Sequence, residues 1–204
     1  MRNKLITGSL ERGMSYSDYR TLVSSLVREG STTGDEKTQA LINYTILNDK
    51  RMKRWDKTIK ISEMLSSKIE NFNRKVSWLV ITESWCGDAA HILPVLNKVA
   101  ELNADIDLKI VLRDENNALM HQFLTYGNRA IPKLIMIAND TNEVLETYGP
   151  RPSIAKEMVK AYKAEFGALT PEFKEDLQRW YNKDKGETTL KDLERMLSNN
   201  NSGY

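Results

Sequence analysis

The sequence predicts an α/β fold in which a central mixed sheet of four or five strands is flanked by helices. Three observations lead to this prediction. Residues 76–82 are almost uniformly apolar and β-branched, which is typical of a strand covered on both faces. Apolar residues alternate with others at 106–112, and a turn cluster at 139–142 indicates a hairpin between the segments that flank it.

The remaining elements follow from apolar periodicity and from residues that begin or end helices. Ser15 and Asp18 have the spacing of a capping box, and Pro171 stands where a proline can open a helix. The predicted strands are 58–62, 76–82, 106–112, 133–138 and 143–148. The predicted helices span about 15–27, 35–56, 63–73, 89–102, 119–124, 154–167, 171–181 and 190–197.

These elements divide the chain into three parts. Residues 1–57 are predicted to form an N-terminal helical extension, residues 58–167 a domain built on the sheet, and residues 168–204 a C-terminal helical extension. A chain of 204 residues is long enough to bury a substantial core.

Charge and hydropathy exclude several classes of protein. The 30 basic and 28 acidic side chains leave a net charge of +2, so no global field recruits nucleic acid or a membrane surface. The longest apolar runs, such as 134–138, are far too short to span a bilayer. His91 and His121 lack metal-ligand spacing, and no metal site is expected. A single cysteine excludes an intrachain disulfide and favours a reducing compartment, so we expect a cytoplasmic protein.

That cysteine, Cys86, stands where the strand at 76–82 gives way to the helix at 89–102. A helix N-terminus stabilises an anion by roughly 0.3–1 kcal/mol, and by up to about 2 kcal/mol when partly buried. Asp88 in the same turn opposes the thiolate by about 1–1.5 kcal/mol. We therefore predict an exposed, reactive thiol whose pKa lies modestly below its ordinary value, and Asp88→Asn should lower that pKa. The alternative is a buried structural thiol, since free cysteine packs as a small hydrophobe.

Trp85-Cys86-Gly87 precedes the helix at 89–102, Pro94 lies inside that helix, and Ile131-Pro132 precedes the hairpin. Together these motifs resemble the thioredoxin superfamily over about residues 58–167. The resemblance implies a thioredoxin-like fold and a cis bond between Ile131 and Pro132, whose backbone pairs with an extended substrate. It implies Cys86 as the catalytic residue and the following substrate-binding residues: Trp85, Gly87, Asp88, Ile131 and Pro132.

The chain departs from the superfamily at the positions that release a bound substrate. Ala89 stands where the second cysteine of the Trp-Cys-Gly-Pro-Cys motif is usual, and Asp88 replaces the proline. Val80 stands where the superfamily buries an aspartate that serves as a base. Cys86 would form a mixed disulfide but would need an outside thiol, such as glutathione as a co-substrate, to release it. No bound cofactor is implied.

Residues in neighbouring loops are candidates for a supporting role. Trp85 would cover the thiol, with its indole N–H donating to Asp114. Arg113 and Arg151 are either solvated surface charges or, for one of them, a ligand for the carboxylate of a small thiol such as glutathione. His91 is expected on the surface of the helix that follows Cys86.

Three functions remain open at this point. The first is a monothiol disulfide oxidoreductase, in which Cys86 reacts with a disulfide-containing or thiol-containing protein or small thiol and an external thiol completes the cycle. The second is a non-catalytic thioredoxin-like module that binds a peptide or protein beside Cys86, with the helical extensions binding a partner or forming a homodimer. The third is a redox sensor whose Cys86 is glutathionylated or pairs between two chains. No nucleic-acid or membrane partner is expected.

Overall fold

A computed structural model describes residues 2–201 of the chain. The last three residues of the predicted C-terminal extension, 202–204, lie outside the described residues. The helices are α1 (Arg2–Arg12), α2 (Tyr16–Arg28), α3 (Gln39–Thr58), α4 (Glu63–Glu70), α5 (Ala89–Glu101), α6 (Asn117–Gln122), α7 (Ser153–Phe166), α8 (Pro171–Asp184) and α9 (Glu187–Asn200). The strands are β1 (Val76–Thr82), β2 (Ile106–Leu112), β3 (Lys133–Ala138) and β4 (Val144–Tyr148).

The four strands form one mixed sheet in the order β2-β1-β3-β4. β1 runs parallel to β2, with Val76 opposite Ile106 and Thr82 opposite Leu112. β3 runs antiparallel to β1 and to β4, so that β3 and β4 form the predicted hairpin. The predicted α/β fold, a mixed sheet flanked by helices, is confirmed.

The strand predicted at 58–62 is wrong. Helix α3 continues to Thr58, and the backbone N–H of Ile59 donates to the carbonyl oxygen of Trp55. The side chain of Ser62 then accepts a hydrogen bond from the Leu65 backbone N–H and begins α4. The short segment therefore ends one helix and begins the next. Its alternating pattern arises because Ile59 turns into the core, and not because the segment pairs in a sheet.

The main core surrounds β1 and β3, in which every residue is buried. Helices from both ends of the chain contribute to this core, among them α2 through Tyr19 and Val23 and α9 through Leu193 and Leu197. The capping box predicted at the start of α2 is confirmed, because Ser15 and Asp18 satisfy each other's backbone N–H groups. Helices α2 and α9 therefore share one core with the sheet.

Helices α7 and α8 form a smaller apolar cluster beside the main core. Its buried members are Ala155, Val159, Phe173, Leu177 and Tyr181. Helix α3 packs against α5, and α9 contacts α4, α5 and α7. In the part of the chain described here, no helix combines the length and the apolar character that crossing a membrane requires.

Candidate functional site

Cys86 lies at the junction between β1 and α5, beside the loop that precedes β3. Its Sγ donates a hydrogen bond to the carbonyl oxygen of Ile131, with 3.4 Å between sulfur and oxygen. The peptide bond between Ile131 and Pro132 is cis, as the resemblance implied. The fold therefore brings together the two motifs that lie 45 residues apart in the sequence.

The predicted exposure of the thiol is wrong, because Cys86 is only 7% exposed, whereas its reactivity stays a prediction. Burial raises the pKa of Cys86 to about 12, and the negative charge of Asp88 adds to the increase. The backbone N–H groups of Ala89 and Asp88 and the charge of Arg151 lower the pKa by less. The N-terminus of α5 lowers the pKa of Cys86, as predicted, but desolvation raises that pKa by more.

Asp88 begins helix α5 and is held from two sides. Nη2 of Arg151 lies 2.8 Å from Asp88 Oδ2, and the Tyr181 hydroxyl donates to Asp88 Oδ1 at 2.9 Å. Burial raises the pKa of the Asp88 carboxyl, while Arg151 and Tyr181 lower it. The prediction of Arg151 as a solvated surface charge is wrong, because its guanidinium binds this buried carboxylate.

The prediction that Asp88→Asn lowers the thiol pKa stays a prediction, and the structure supports its direction. Removing the carboxylate charge removes the second-largest cause of the raised pKa of Cys86. We expect the pKa to fall but to remain above the ordinary thiol value, because burial persists. The pH dependence of Cys86 alkylation in Asp88→Asn and in the unchanged protein measures this difference. An unchanged or higher pKa in the variant would contradict it.

The predicted surface position of His91 is also wrong, because the side chain is buried between α3 and α8. Trp55 Nε1 donates to His91 Nδ1 at 2.9 Å, so the ring proton lies on Nε2, which donates to Gln178 Oε1 at 2.8 Å. The ring stacks on Tyr181 at 4.3 Å between centroids. Burial lowers the pKa of His91 to about 3, and the residue is neutral at physiological pH.

This buried histidine makes an acid-sensitive contribution to stability. Because its folded pKa of about 3 lies below that of the unfolded chain, protons favour the unfolded state as the pH falls below about 6.5. We expect the free energy of unfolding to fall by about 1 kcal/mol more between pH 7 and pH 5.5 in the unchanged protein than in His91→Gln. Urea unfolding at the two pH values measures it.

The unchanged protein is the reference for that measurement. If His91→Gln keeps the full pH dependence of the unchanged protein, His91 does not stay neutral in the folded chain.

Trp85, which precedes Cys86 in the chain, lies close to Arg113, and Arg113 pairs with Asp114. The guanidinium of Arg113 lies 4.9 Å from the centroid of the Trp85 ring, and its Nε donates to Asp114 Oδ1 at 2.8 Å. Arg129 and the Asp35 backbone N–H also donate to Asp114. Among the described residues, the predicted hydrogen bond from Trp85 to Asp114 is not formed, because these donors already occupy both carboxylate oxygens. Arg113 is likewise paired rather than a solvated charge.

Sequence reasoning missed the residues from distant helices that surround the motif. A methyl group placed on Gly87 would lie 3.7 Å from Nη1 of Arg51 in α3 and 3.9 Å from Nε2 of Gln178 in α8. Tyr181 of α8 binds Asp88 directly. The apolar stripe of α8 predicts a helix, but nothing in that stripe indicates which surface it covers. Within residues 2–201, no group of three histidine, cysteine or acidic residues could hold a metal ion.

This geometry defines a protein of the thioredoxin class, with a Trp-Cys-Gly turn facing a cis proline. A family model described as thioredoxin matches residues 34–163, and the chain belongs to that family. The resemblance predicted from the motifs is thereby confirmed at the level of the family.

Two solved structures share the fold. A protein of unknown function from Pseudomonas aeruginosa, PA1234, is 16% identical with a TM-score of 0.65, over 93% of this chain and 95% of its own. An HIV epitope scaffold is also 16% identical, with a TM-score of 0.59, over 91% of this chain and 99% of its own. No curated protein matches the chain.

Proposed function

We propose that this protein is a thioredoxin-fold module that binds an extended protein segment and does not turn over disulfides. The observation that carries the proposal is the burial of Cys86, which raises its pKa to about 12. The thiolate is the form that attacks a disulfide, and at pH 7 a thiol with this pKa is ionised to only about one part in 10⁵. A buried thiol in this state acts as a small apolar side chain.

The surroundings of Cys86 support the same conclusion. Asp88 is fixed by Arg151 and Tyr181, so the turn that carries the thiol is tied to α8. Ala89 stands where the superfamily has its second cysteine, so the chain has no thiol of its own to release a mixed disulfide. Dithiol exchange therefore lacks the thiolate that its attack step needs and the second cysteine that its release step needs.

The proposed binding surface consists of the loop before β3, which contains Ile131 and Pro132, and the Cys86 turn beside it. In the thioredoxin superfamily the backbone at the cis proline pairs with an extended chain, and this protein has the cis bond at Ile131-Pro132. Alternating main-chain hydrogen bonds of this kind supply affinity without any covalent step. The proposed mode of binding therefore does not require a reactive cysteine.

Reduction of a glutathione mixed disulfide tests this proposal. We expect the unchanged protein and Cys86→Ser to show the same background rate, with a dithiol thioredoxin as the positive control. A rate well above background that disappears in Cys86→Ser would contradict the proposal and favour the oxidoreductase.

Monothiol exchange is the second candidate function, because Sγ lies at the N-terminus of α5 and beside the cis proline. In this function a small thiol such as glutathione is the co-substrate, and loosening the turn that Asp88 anchors should expose Cys86. Tyr181→Phe removes one of the bonds to Asp88 without changing the ring. Turnover that rises in Tyr181→Phe supports exchange, whereas turnover that stays at background supports the binding module.

A further inference from the structure

A groove lies between helix α7 and the loop at 125–130, which leads to Ile131 and Pro132. Its volume is about 600 Å³. We call it the basic groove and define it by Tyr126, Arg151, Lys156, Val159, Lys160 and Lys163, which are among its lining residues. It is continuous with the Cys86 site, because Ala130 also lines it and Arg151 reaches from it to Asp88.

The charged side chains that line the basic groove all carry a positive charge. Four of the described residues that line it are cationic and none is acidic. Lys156, Lys160 and Lys163 are exposed on α7, and the ion pair of Lys160 with Glu157 is long, at 3.8 Å, and solvent-exposed. Arg151 is already paired with Asp88, so the exposed ammonium groups of Lys156, Lys160 and Lys163 supply the positive charge that is open to a partner.

We propose that the basic groove binds an acidic, extended segment of a partner protein; this deepens the proposed binding function and rests on it. Lys156, Lys160 and Lys163 are four and three residues apart, which places them about 6 Å and 4.5 Å apart along the helix axis. Side chains on one face of an extended chain repeat every ~6.6 Å. The lysine spacings are shorter than this repeat, most of all between Lys160 and Lys163, but the flexible four-carbon stem of lysine lets the ammonium groups reach acidic residues at alternate positions.

The groove also contains apolar surface that suits a peptide. Val159 lies in its floor, and the ring of Tyr126, 82% exposed, lies 5.8 Å from Nζ of Lys156. A peptide with acidic residues on one face and apolar residues on the other satisfies both parts of the groove. Nucleic acid fits less well, because binding to single strands relies on rows of aromatic side chains and a strongly basic surface. The net charge of this chain is only +2.

Fluorescence anisotropy with a short labelled peptide that carries glutamate at alternate positions tests the proposal. The control probe has glutamine at the same positions. We expect the glutamate peptide to bind at least tenfold more tightly than the glutamine peptide, with an affinity that falls as salt is raised. Equal binding of the two peptides would overturn the proposal for the basic groove. The proposed binding function is tested separately by the glutathione assay, and it would stand if the turnover there stays at background.

Charge reversal locates the site. Lys156→Glu/Lys160→Glu/Lys163→Glu should weaken the glutamate peptide more than tenfold, and these exposed side chains can be changed with the fold intact, as circular dichroism would show. Lys50→Glu/Lys57→Glu/Lys60→Glu changes the net charge equally at exposed positions outside the groove and should alter binding less than twofold. Equal losses in both variants would overturn the proposal, as would a single-stranded oligonucleotide that binds the basic groove more tightly than the peptide.

Discussion

Arg151→Ala is expected to lower the free energy of unfolding by about 3 kcal/mol, because it leaves the buried Asp88 carboxylate without its cation. Asp88 is 11% exposed at its side chain, and the pair closes at 2.8 Å. Removing one partner of a buried pair costs roughly 3–5 kcal/mol, and the lower end applies here because Arg151 is 25% exposed. Denaturant unfolding at neutral pH measures the change.

Arg179→Ala is the matched control. Arg179 of α8 pairs with Asp176 at 2.7 Å, but its side chain is 72% exposed, so its loss should cost less than about 1 kcal/mol. The double variant Asp88→Asn/Arg151→Ala should be less destabilised than the sum of the single variants, since no buried charge is left unpaired. If Arg151→Ala costs no more than Arg179→Ala, the pair does not anchor the turn at Cys86.

Gly149→Ala is expected to destabilise the protein by about 3–5 kcal/mol, because both the backbone and the space around it require glycine. Gly149 has a φ of +103°, and a Cβ placed on it would lie 2.2 Å from the carbonyl oxygen of Pro132. The side chain would be strained by its own backbone and would push β4 away from the loop of the candidate site.

Gly127→Ala separates these two causes. Gly127 also has a positive φ, of +74°, but a Cβ there would meet nothing within 4 Å. It should therefore cost only the backbone strain, about 1–2 kcal/mol. Equal losses in the two variants would show that the close approach of Gly149 to Pro132 does not constrain the fold.

The strands could be predicted from the sequence because their signals are local. β1, β2 and β3 begin and end where their apolar patterns do, and β4 begins one residue later than predicted. The segment at 58–62 shows the limit of such signals, because two isoleucines in alternation also fit the junction between two helices.

The candidate site could be predicted only in part. The motifs at Cys86 and Ile131-Pro132 implied their own proximity, which is confirmed. The burial of Cys86 could not be predicted, since the core that encloses it includes residues from distant helices, such as Tyr19 of α2. His91 illustrates the same limit, because the pattern of α5 contains no information about α3 and α8, which enclose it.

The pH dependence of Cys86 alkylation in the native chain tests the central claim, that this thiol is closed off and un-ionised, most directly. With a pKa of about 12, the rate should rise steadily up to pH 10 without a plateau. At pH 8 it should be about a thousandfold slower than in the unfolded chain. A plateau between pH 7 and pH 9, with a native rate within tenfold of the unfolded one, would contradict the account.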